Sequence, residues 1–138
     1  MSIEFRGLEE LFEELEEIAD TENLQQALKK AAAAVARSAI QNAPKGKTGE
    51  LRRSIKSKVE GLEGIVYSNL EYAPYVEYGT GKFAEGGNGR KDVPWAYEDE
   101  ETGDLIWTSG QHPKPYMRPA LNENRENILR LIKEGLKR

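Results

Sequence analysis

The tripeptide Gly46-Lys47-Thr48 is the first place where the residue types of this sequence could support chemistry. Gly-Lys-Thr ends the loop in which backbone N–H groups and a lysine hold the phosphates of a nucleotide. That loop needs a glycine five residues before its final glycine, and it follows a strand. Gln41 occupies the required glycine position, and a helix is expected to precede the tripeptide. The pattern therefore does not predict a nucleotide site.

Two other groups of residues could act as ligands or as a base. Residues 98–101 (EDEE) and Asp104 could offer oxygens to a hard cation, but their spacing matches no calcium loop and is typical of a solvated hairpin tip. His112 is the single histidine and has no nucleophile beside it in the sequence. The chain has no cysteine, which excludes disulfides and thiolate metal sites. We expect no catalytic residue, no cofactor, no metal and no enzymatic activity.

Charge is distributed in blocks along a chain of 138 residues whose net charge is -4. Residues 1–20 hold eight acids and one base, whereas residues 21–60 hold nine bases and three acids. The most basic stretch, residues 45–58, has six cations and one acid, Glu50. Such a stretch can contact phosphates or an acidic protein neighbour, and blocks of unlike charge favour packing between segments or between identical chains.

Apolar periodicity predicts the helices that must position these residues. An acidic helix over residues 5–18 and a long helix from Thr21 or Asn23 to Asn42 both have an apolar stripe at steps of three and four. Thr48 is placed to cap a short helical turn over residues 50–53. A final helix begins near Pro119, a residue that suits the first turn of a helix.

Alternating residues predict two antiparallel hairpins. One joins residues 55–59 to 65–68, and the other joins 95–98 to 105–108. Glycine-rich residues 79–94 between them are expected to form a flexible loop. The predicted fold class is α+β, with a mostly antiparallel sheet of about four strands, packed by a long helix and a C-terminal helix, and an acidic N-terminal helix at residues 1–20. We expect a single domain over residues 1–138, without a membrane span or a signal peptide.

Three segments in order resemble a known family. They are residues 46–55 (GKTGELRRSI), 72–81 (YAPYVEYGTG) and 110–121 (GQHPKPYMRPAL). Together they are similar to the small tail-component family of long-tailed bacteriophages and prophages, whose members are also described as head–tail joining or tail-completion proteins. The resemblance covers about residues 21–138, and nothing is carried over from it to the acidic first helix or to residues 86–89.

The resemblance implies a non-enzymatic virion protein, assembled in the bacterial cytoplasm and located at the head–tail junction or in the tail. It would join head and tail, or complete the tail, as a ring of identical subunits around the DNA channel. The ring is often hexameric in this family. The implied partners are further copies of the chain and other phage neck or tail proteins, with non-specific contact to the channel DNA and no membrane.

Seven residues are candidates for the subunit or neighbour interface: Arg52, Arg53, Tyr72, Tyr75, Glu77, Tyr78 and Arg118. The tyrosines are amphipathic anchors of the kind that interfaces favour, although two of them could instead close the sheet. Glu77 is expected to accept N–H groups of the following turn or to pair with an arginine, for which Arg118 is one option.

The two adjacent arginines leave a short helical turn before a strand, so at least one of them should face outward. Their partner would be an acidic segment of a neighbouring subunit, within residues 61–89 or 90–110, or the DNA in the channel. A second interpretation of the sequence is a small bacterial nucleic-acid-binding or regulatory module that uses the basic stretch 45–58. Salt-sensitive, specific binding to duplex DNA would favour that interpretation.

Overall fold

The computed structural model of the chain describes residues 1–5, 21–46, 48–87, 89–99 and 102–135. The helices and strands follow in the order β1 (Ser2–Phe5), α1 (Thr21–Asn42), α2 (Glu50–Ser54), β2 (Lys56–Glu60), β3 (Glu63–Tyr67), α3 (Ala73–Tyr78), β4 (Trp95–Glu98), β5 (Leu105–Thr108), α4 (Met117–Glu123) and α5 (Arg125–Gly135). Two single 3₁₀ turns, Gly81–Phe83 and Glu85–Gly87, lie between α3 and β4. The chain divides into two compact units, Met1–Leu70 with Tyr116–Arg138, and Glu71–Pro115.

Helix α1 is the centre of the first unit. The five residues of the predicted apolar stripe are all completely buried: Leu24, Leu28, Ala31, Val35 and Ala39. Further alanines on other sides of the helix are buried as well, because α1 packs against β2 and β3 and also against α4 and α5. Small side chains let neighbours approach closely on several sides of a helix, and alanine favours the helix itself. The run of four alanines at residues 31–34 therefore fits a helix covered by two layers.

A three-stranded antiparallel sheet with the strand order β1-β3-β2 forms one of these layers. The central strand β3 is buried at Gly64, Ile65 and Val66, whereas the edge strand β2 alternates between exposed and half-buried residues. This alternation is typical of an antiparallel strand with one face toward the core. The hairpin of β2 and β3 turns at Gly61, which has a positive φ of 56°.

Helices α4 and α5 form the other layer on α1. Ile128 and Ile132 of α5 are buried. The two helices are separated at Asn124, a buried residue whose Nδ2 donates hydrogen bonds to Ser38 Oγ (2.7 Å) and to Ala120 O (2.8 Å). A buried amide with satisfied donors fixes the relative position of the elements it joins, so Asn124 holds the junction of α4 and α5 on α1.

The second unit consists of α3, the two 3₁₀ turns and the hairpin of β4 and β5. Residues 109–114 return beside residues 76–82, which gives backbone hydrogen bonds from Lys114 N to Val76 O (2.8 Å) and from Lys82 N to Ser109 O (2.9 Å). Few side chains form a core here, so the fold of this unit depends mainly on backbone pairing and on close packing around glycines. The flexibility expected for residues 79–94 stays a prediction.

The predicted α+β fold class is confirmed. The described strands are divided between a three-stranded sheet and a two-stranded hairpin, and β1 is a strand that the periodicity did not indicate. Phe5, expected at the start of the acidic helix, is the last residue of β1. The remainder of that predicted helix lies outside the described residues. The short α3 was not predicted, because only six residues take part and Pro74 is among them.

Candidate functional site

Arg52 and Arg53 both lie on the short helix α2 and hold the loop before it. Arg52 is half-buried, and its Nε donates to Ala43 O, close to the end of α1 (2.9 Å). Arg53 is exposed, and its Nη1 donates to Thr48 O (2.7 Å). Thr48 Oγ1 in turn accepts from the Glu50 backbone N–H (3.3 Å). The predicted cap is wrong, however, because Gly49 is the N-cap residue of α2 and no side chain caps the helix. At least one arginine therefore faces outward, as the sequence predicted.

The lysines of strand β2 extend the basic surface. Lys56 and Lys58 are exposed, and Lys58 Nζ forms an ion pair with Glu60 Oε1 at 2.8 Å. The hydrogen bond and the negative charge of Glu60 raise the pKa of the Lys58 ammonium above its ordinary value of 10.5. The same ammonium lies 5.2 Å from the centre of the Tyr67 ring. Because Glu60 pairs with Lys58, the positive charges that the described part of this stretch offers to a partner are chiefly those of Lys45, Arg53 and Lys56.

The three candidate tyrosines surround helix α3. Tyr72 precedes the helix, Tyr75 and Tyr78 lie on it, and their exposed fractions are 40%, 57% and 41%. The segment is helical and all three tyrosines are partly exposed; the alternative that two of them close the sheet stays a prediction. Exposed tyrosines combine a large apolar area with a polar tip, which is the composition of interface anchors.

Glu77 lies on the same helix but is completely buried. It is therefore not available to a partner as a surface carboxylate. Arg118 is half-buried on α4. The two residues belong to different compact units, and the predicted pairing between them stays a prediction.

An open groove of about 670 Å³ in the second unit includes two of the tyrosines. Its lining is mainly apolar and consists of Pro74, Tyr75, Tyr78, Gly79, Thr80, Gly81, Ala84, Glu85, Gly89, Arg90 and Trp95. The Arg90 guanidinium lies over the Trp95 ring, 4.9 Å from its centre. The groove is thus an apolar depression with a cation held above an aromatic wall.

Gly81 allows this groove to form. Its φ is +57°, and a Cβ at this position would lie 2.3 Å from Ser109 O and 2.8 Å from the Trp95 ring. Only glycine adopts this backbone conformation readily and allows such an approach. The close contact holds the turn after α3 against the hairpin of β4 and β5.

That hairpin exposes two large apolar residues that sequence reasoning did not select. Leu105 and Trp107 are each 65% exposed, and Tyr97 is 47% exposed. Apolar side chains in an alternating strand are normally assigned to a core, so the sequence predicted the hairpin but not its exposed face.

Comparison with known families identifies the chain. The model of the bacteriophage HK97-gp10 tail-component family matches residues 6–79, which is more than half of the sequence. The chain belongs to this family. No curated protein and no solved structure matches the chain. Membership makes the protein a bacteriophage tail component, for which other phage structural proteins are the expected partners and the virion the expected location.

The family match covers two of the three motifs on which the resemblance was based. Residues 46–55 and most of residues 72–81 lie inside it, whereas residues 110–121 lie outside. The match also includes residues 6–20, to which the resemblance assigned nothing. In this tail component residues 45–55 and nearly all of residues 72–81 therefore lie inside the matched part, whereas the groove lining from Thr80 to Trp95 and the β4–β5 hairpin lie beyond it.

The structure shows the surroundings of the residues that were first considered for chemistry in this tail component. His112 is exposed and its ring packs on Phe83, with ring centres 3.9 Å apart. Among the described residues, no three His, Asp or Glu side chains cluster closely enough to hold a metal ion. None of the described helices is both long enough and apolar enough to cross a membrane. The Gly46-Lys47-Thr48 tripeptide follows a helix, which is the wrong context for a phosphate loop.

Proposed function

We propose that this tail component joins head and tail, or completes the tail, as a ring of identical subunits around the DNA channel and without catalysing a reaction. Six is the subunit number that the resemblance implies. One observation carries the proposal: every large exposed apolar side chain found in the described part of the chain lies within residues 71–115. These side chains are Tyr72, Tyr75, Tyr78, Tyr97, Leu105 and Trp107. Exposed apolar side chains concentrated in one region mark a protein–protein interface.

The charges of the chain support contact between identical copies. Residues 95–108 contain five acids and no base, whereas residues 45–58 contain six bases and one acid. Arg53 and Lys56 are exposed in the basic stretch, and Glu98 and Asp104 are exposed in the acidic hairpin. Opposite charge on two surfaces of one protein accelerates association and disfavours like-to-like contact.

A phage that lacks this gene provides the direct test. We expect it to produce filled heads and separate tails, and we expect the wild-type gene supplied in trans to restore joined particles, counted by electron microscopy. Sedimentation velocity on the purified protein should show an oligomer with a fixed number of subunits. Normal joined particles without the gene would refute the proposal.

Charge reversal at Arg53 tests what the basic stretch contacts. Arg53→Glu on α2 should reduce joining. Arg37→Glu makes the same charge change at an exposed position on α1 and should not reduce it. If the partner is a neighbouring subunit, a compensating acid-to-base change within residues 61–110 of the same chain, such as Asp104→Lys, should restore joining. If the partner is the channel DNA, no acid-to-base change in residues 61–110 will restore it.

The alternative function, nucleic-acid binding, would use the exposed bases at residues 45, 53 and 56. Titration with duplex DNA at increasing salt separates the two functions. Weak binding without sequence preference fits contact with channel DNA. Tight, sequence-specific binding that is lost steeply with salt would favour the small DNA-binding module instead.

A further inference from the structure

The β4–β5 hairpin has two faces, and its register assigns each side chain to one of them. Trp107 pairs with Ala96, and Leu105 pairs with Glu98. Because directly paired residues share a face of a sheet, these four residues form one surface, called here the outer face. Its two large apolar residues are each 65% exposed.

The other face of the hairpin contains Trp95, which pairs with Thr108. Trp95 is a wall of the groove described above, together with Tyr75 and Tyr78 of α3. Successive residues of a strand point to opposite sides of the sheet. The outer face and the groove therefore lie on opposite sides of the same hairpin and cannot cover each other within one molecule.

Neither surface is suited to remain exposed. A two-stranded hairpin is marginally stable by itself in water, and exposed Trp and Leu side chains on it add apolar area without adding a core. The groove, at about 670 Å³, lies in the size range of sites that enclose a small ligand. It is therefore large enough to receive an indole ring and a leucine side chain together.

The charges of the two surfaces are complementary. The outer face has the exposed carboxylate of Glu98, and the hairpin as a whole is strongly acidic. The segment that borders the groove, residues 79–91, has three bases and one acid, and its Lys82, Arg90 and Lys91 are all exposed. Glu98 of one molecule would thus meet a basic rim on another, where a cation already lies over Trp95.

We propose that the outer face of the β4–β5 hairpin of one copy packs into the groove of the next copy, with Trp107 and Leu105 as the inserted side chains. The inference deepens the proposed function, on which it rests, by naming the contact between neighbouring subunits. The two joined surfaces are different, so the contact is heterologous and repeats head to tail. A heterologous contact closes into a ring when its rotation fits and does not stop at a dimer.

The first experiment uses two variants that each destroy one half of the contact. The face variant combines Leu105→Ser with Trp107→Ser, and the groove variant is Tyr75→Ser. All three residues are exposed in one molecule, so both proteins should fold, which circular dichroism checks. Tyr97→Ser is the matched control, because Tyr97 is exposed on the same hairpin, lies on the opposite side from Leu105 and Trp107, and does not line the groove.

Sedimentation velocity then distinguishes the possible contacts. Each variant alone should be a monomer, with subunit affinity at least tenfold weaker than wild type, while the control should assemble like wild type. An equimolar mixture of the face and groove variants should form a 1:1 dimer and nothing larger, because it contains one intact contact. Assembly of either variant as in wild type, a mixture that stays monomeric, or a wild-type protein that never assembles would each overturn the inference.

Cross-linking tests the same contact without removing the large apolar anchors of the groove. The sequence contains no cysteine, so single cysteines can be introduced cleanly by Leu105→Cys and by Glu85→Cys at the groove. Under mild oxidation, a mixture of the Leu105→Cys and Glu85→Cys variants should form a mixed disulfide dimer. It should do so much faster than a control mixture of the Glu85→Cys and Tyr97→Cys variants. Equal rates would contradict the proposed contact.

The inference and the proposed function fail in distinguishable ways. If the variants form the wild-type ring and restore head–tail joining, the contact is wrong and the function stands. If the wild-type gene does not restore joining, the function is wrong, and the mixing experiment still decides the contact.

Discussion

Gly81→Ala tests whether close packing at one glycine holds the second unit together. The φ of Gly81 is +57°, and the new methyl group would lie 2.3 Å from Ser109 O and 2.8 Å from the Trp95 ring. Ser109 O is a backbone atom, so it cannot move away from the methyl group without a shift of the chain around it. We expect the turn after α3 to shift away from the hairpin, which widens or disrupts the groove.

The expected cost has two parts that a matched control separates. A left-handed conformation costs a non-glycine residue about 1–2 kcal/mol, and overpacking adds about 1–3 kcal/mol. Gly87 has a similar φ of +68°, but its new methyl group would meet only Lys91 Nζ at 3.9 Å. Gly87→Ala therefore has the conformational cost alone. The change in the unfolded chain is the same for both, so Gly81→Ala should be less stable than Gly87→Ala by about 1–3 kcal/mol.

Urea unfolding monitored by tryptophan fluorescence measures this difference in the appropriate part of the molecule. Both tryptophans of the chain, Trp95 and Trp107, lie in the second unit, so the signal reports its unfolding. The free energies of unfolding should differ as stated, with similar dependence on urea. Equal stabilities of the two variants would refute the close packing at Gly81.

Three further predictions concern the first unit. Asn124→Ala removes three side-chain hydrogen bonds, two from Nδ2 and a longer one to Oδ1, and should cost about 1–3 kcal/mol in the free energy of unfolding, measured by circular dichroism in urea; Ser38→Ala, which removes only one of them, should cost less. Glu60→Gln should lower the pKa of the Lys58 ammonium toward its ordinary value, because the neighbouring negative charge is lost; NMR titration of the lysine side chain measures this, and an unchanged pKa would contradict the ion pair. Arg52→Met removes the hydrogen bond near the end of α1 and should cost about 1 kcal/mol in thermal or urea unfolding, whereas no loss of stability would mean that water replaces the guanidinium fully.

Local patterns were sufficient to predict the long helix and both hairpins. The stripe of Leu24, Leu28 and Val35 predicted α1 and its buried side, because a helix repeats every 3.6 residues regardless of its surroundings. Both hairpins were predicted in the same way from alternation with a period of two. Strand β1 was not predicted, because four residues contain too little periodicity and this strand exists through its pairing with β3.

The candidate site was predicted in part. The tyrosines were identified as surface anchors from their residue type, and their exposure agrees with that role. Burial of Glu77 was not evident from the sequence, because glutamate is normally a surface residue and only packing decides otherwise. The exposed pair of Leu105 and Trp107 was missed for the opposite reason, since apolar residues in a strand are normally assigned to the core.

The sequence by itself determined the α+β class, the main helix, the two hairpins and the family resemblance, because these depend on residue order and on interactions between near neighbours. The tertiary structure alone decided which faces those elements cover. Burial depends on what lies opposite a side chain, and the opposing residues come from distant parts of the chain. For this reason the apolar stripe of α1 is enclosed by two layers, whereas Leu105 and Trp107, which alternate along β5 as core residues would, remain exposed.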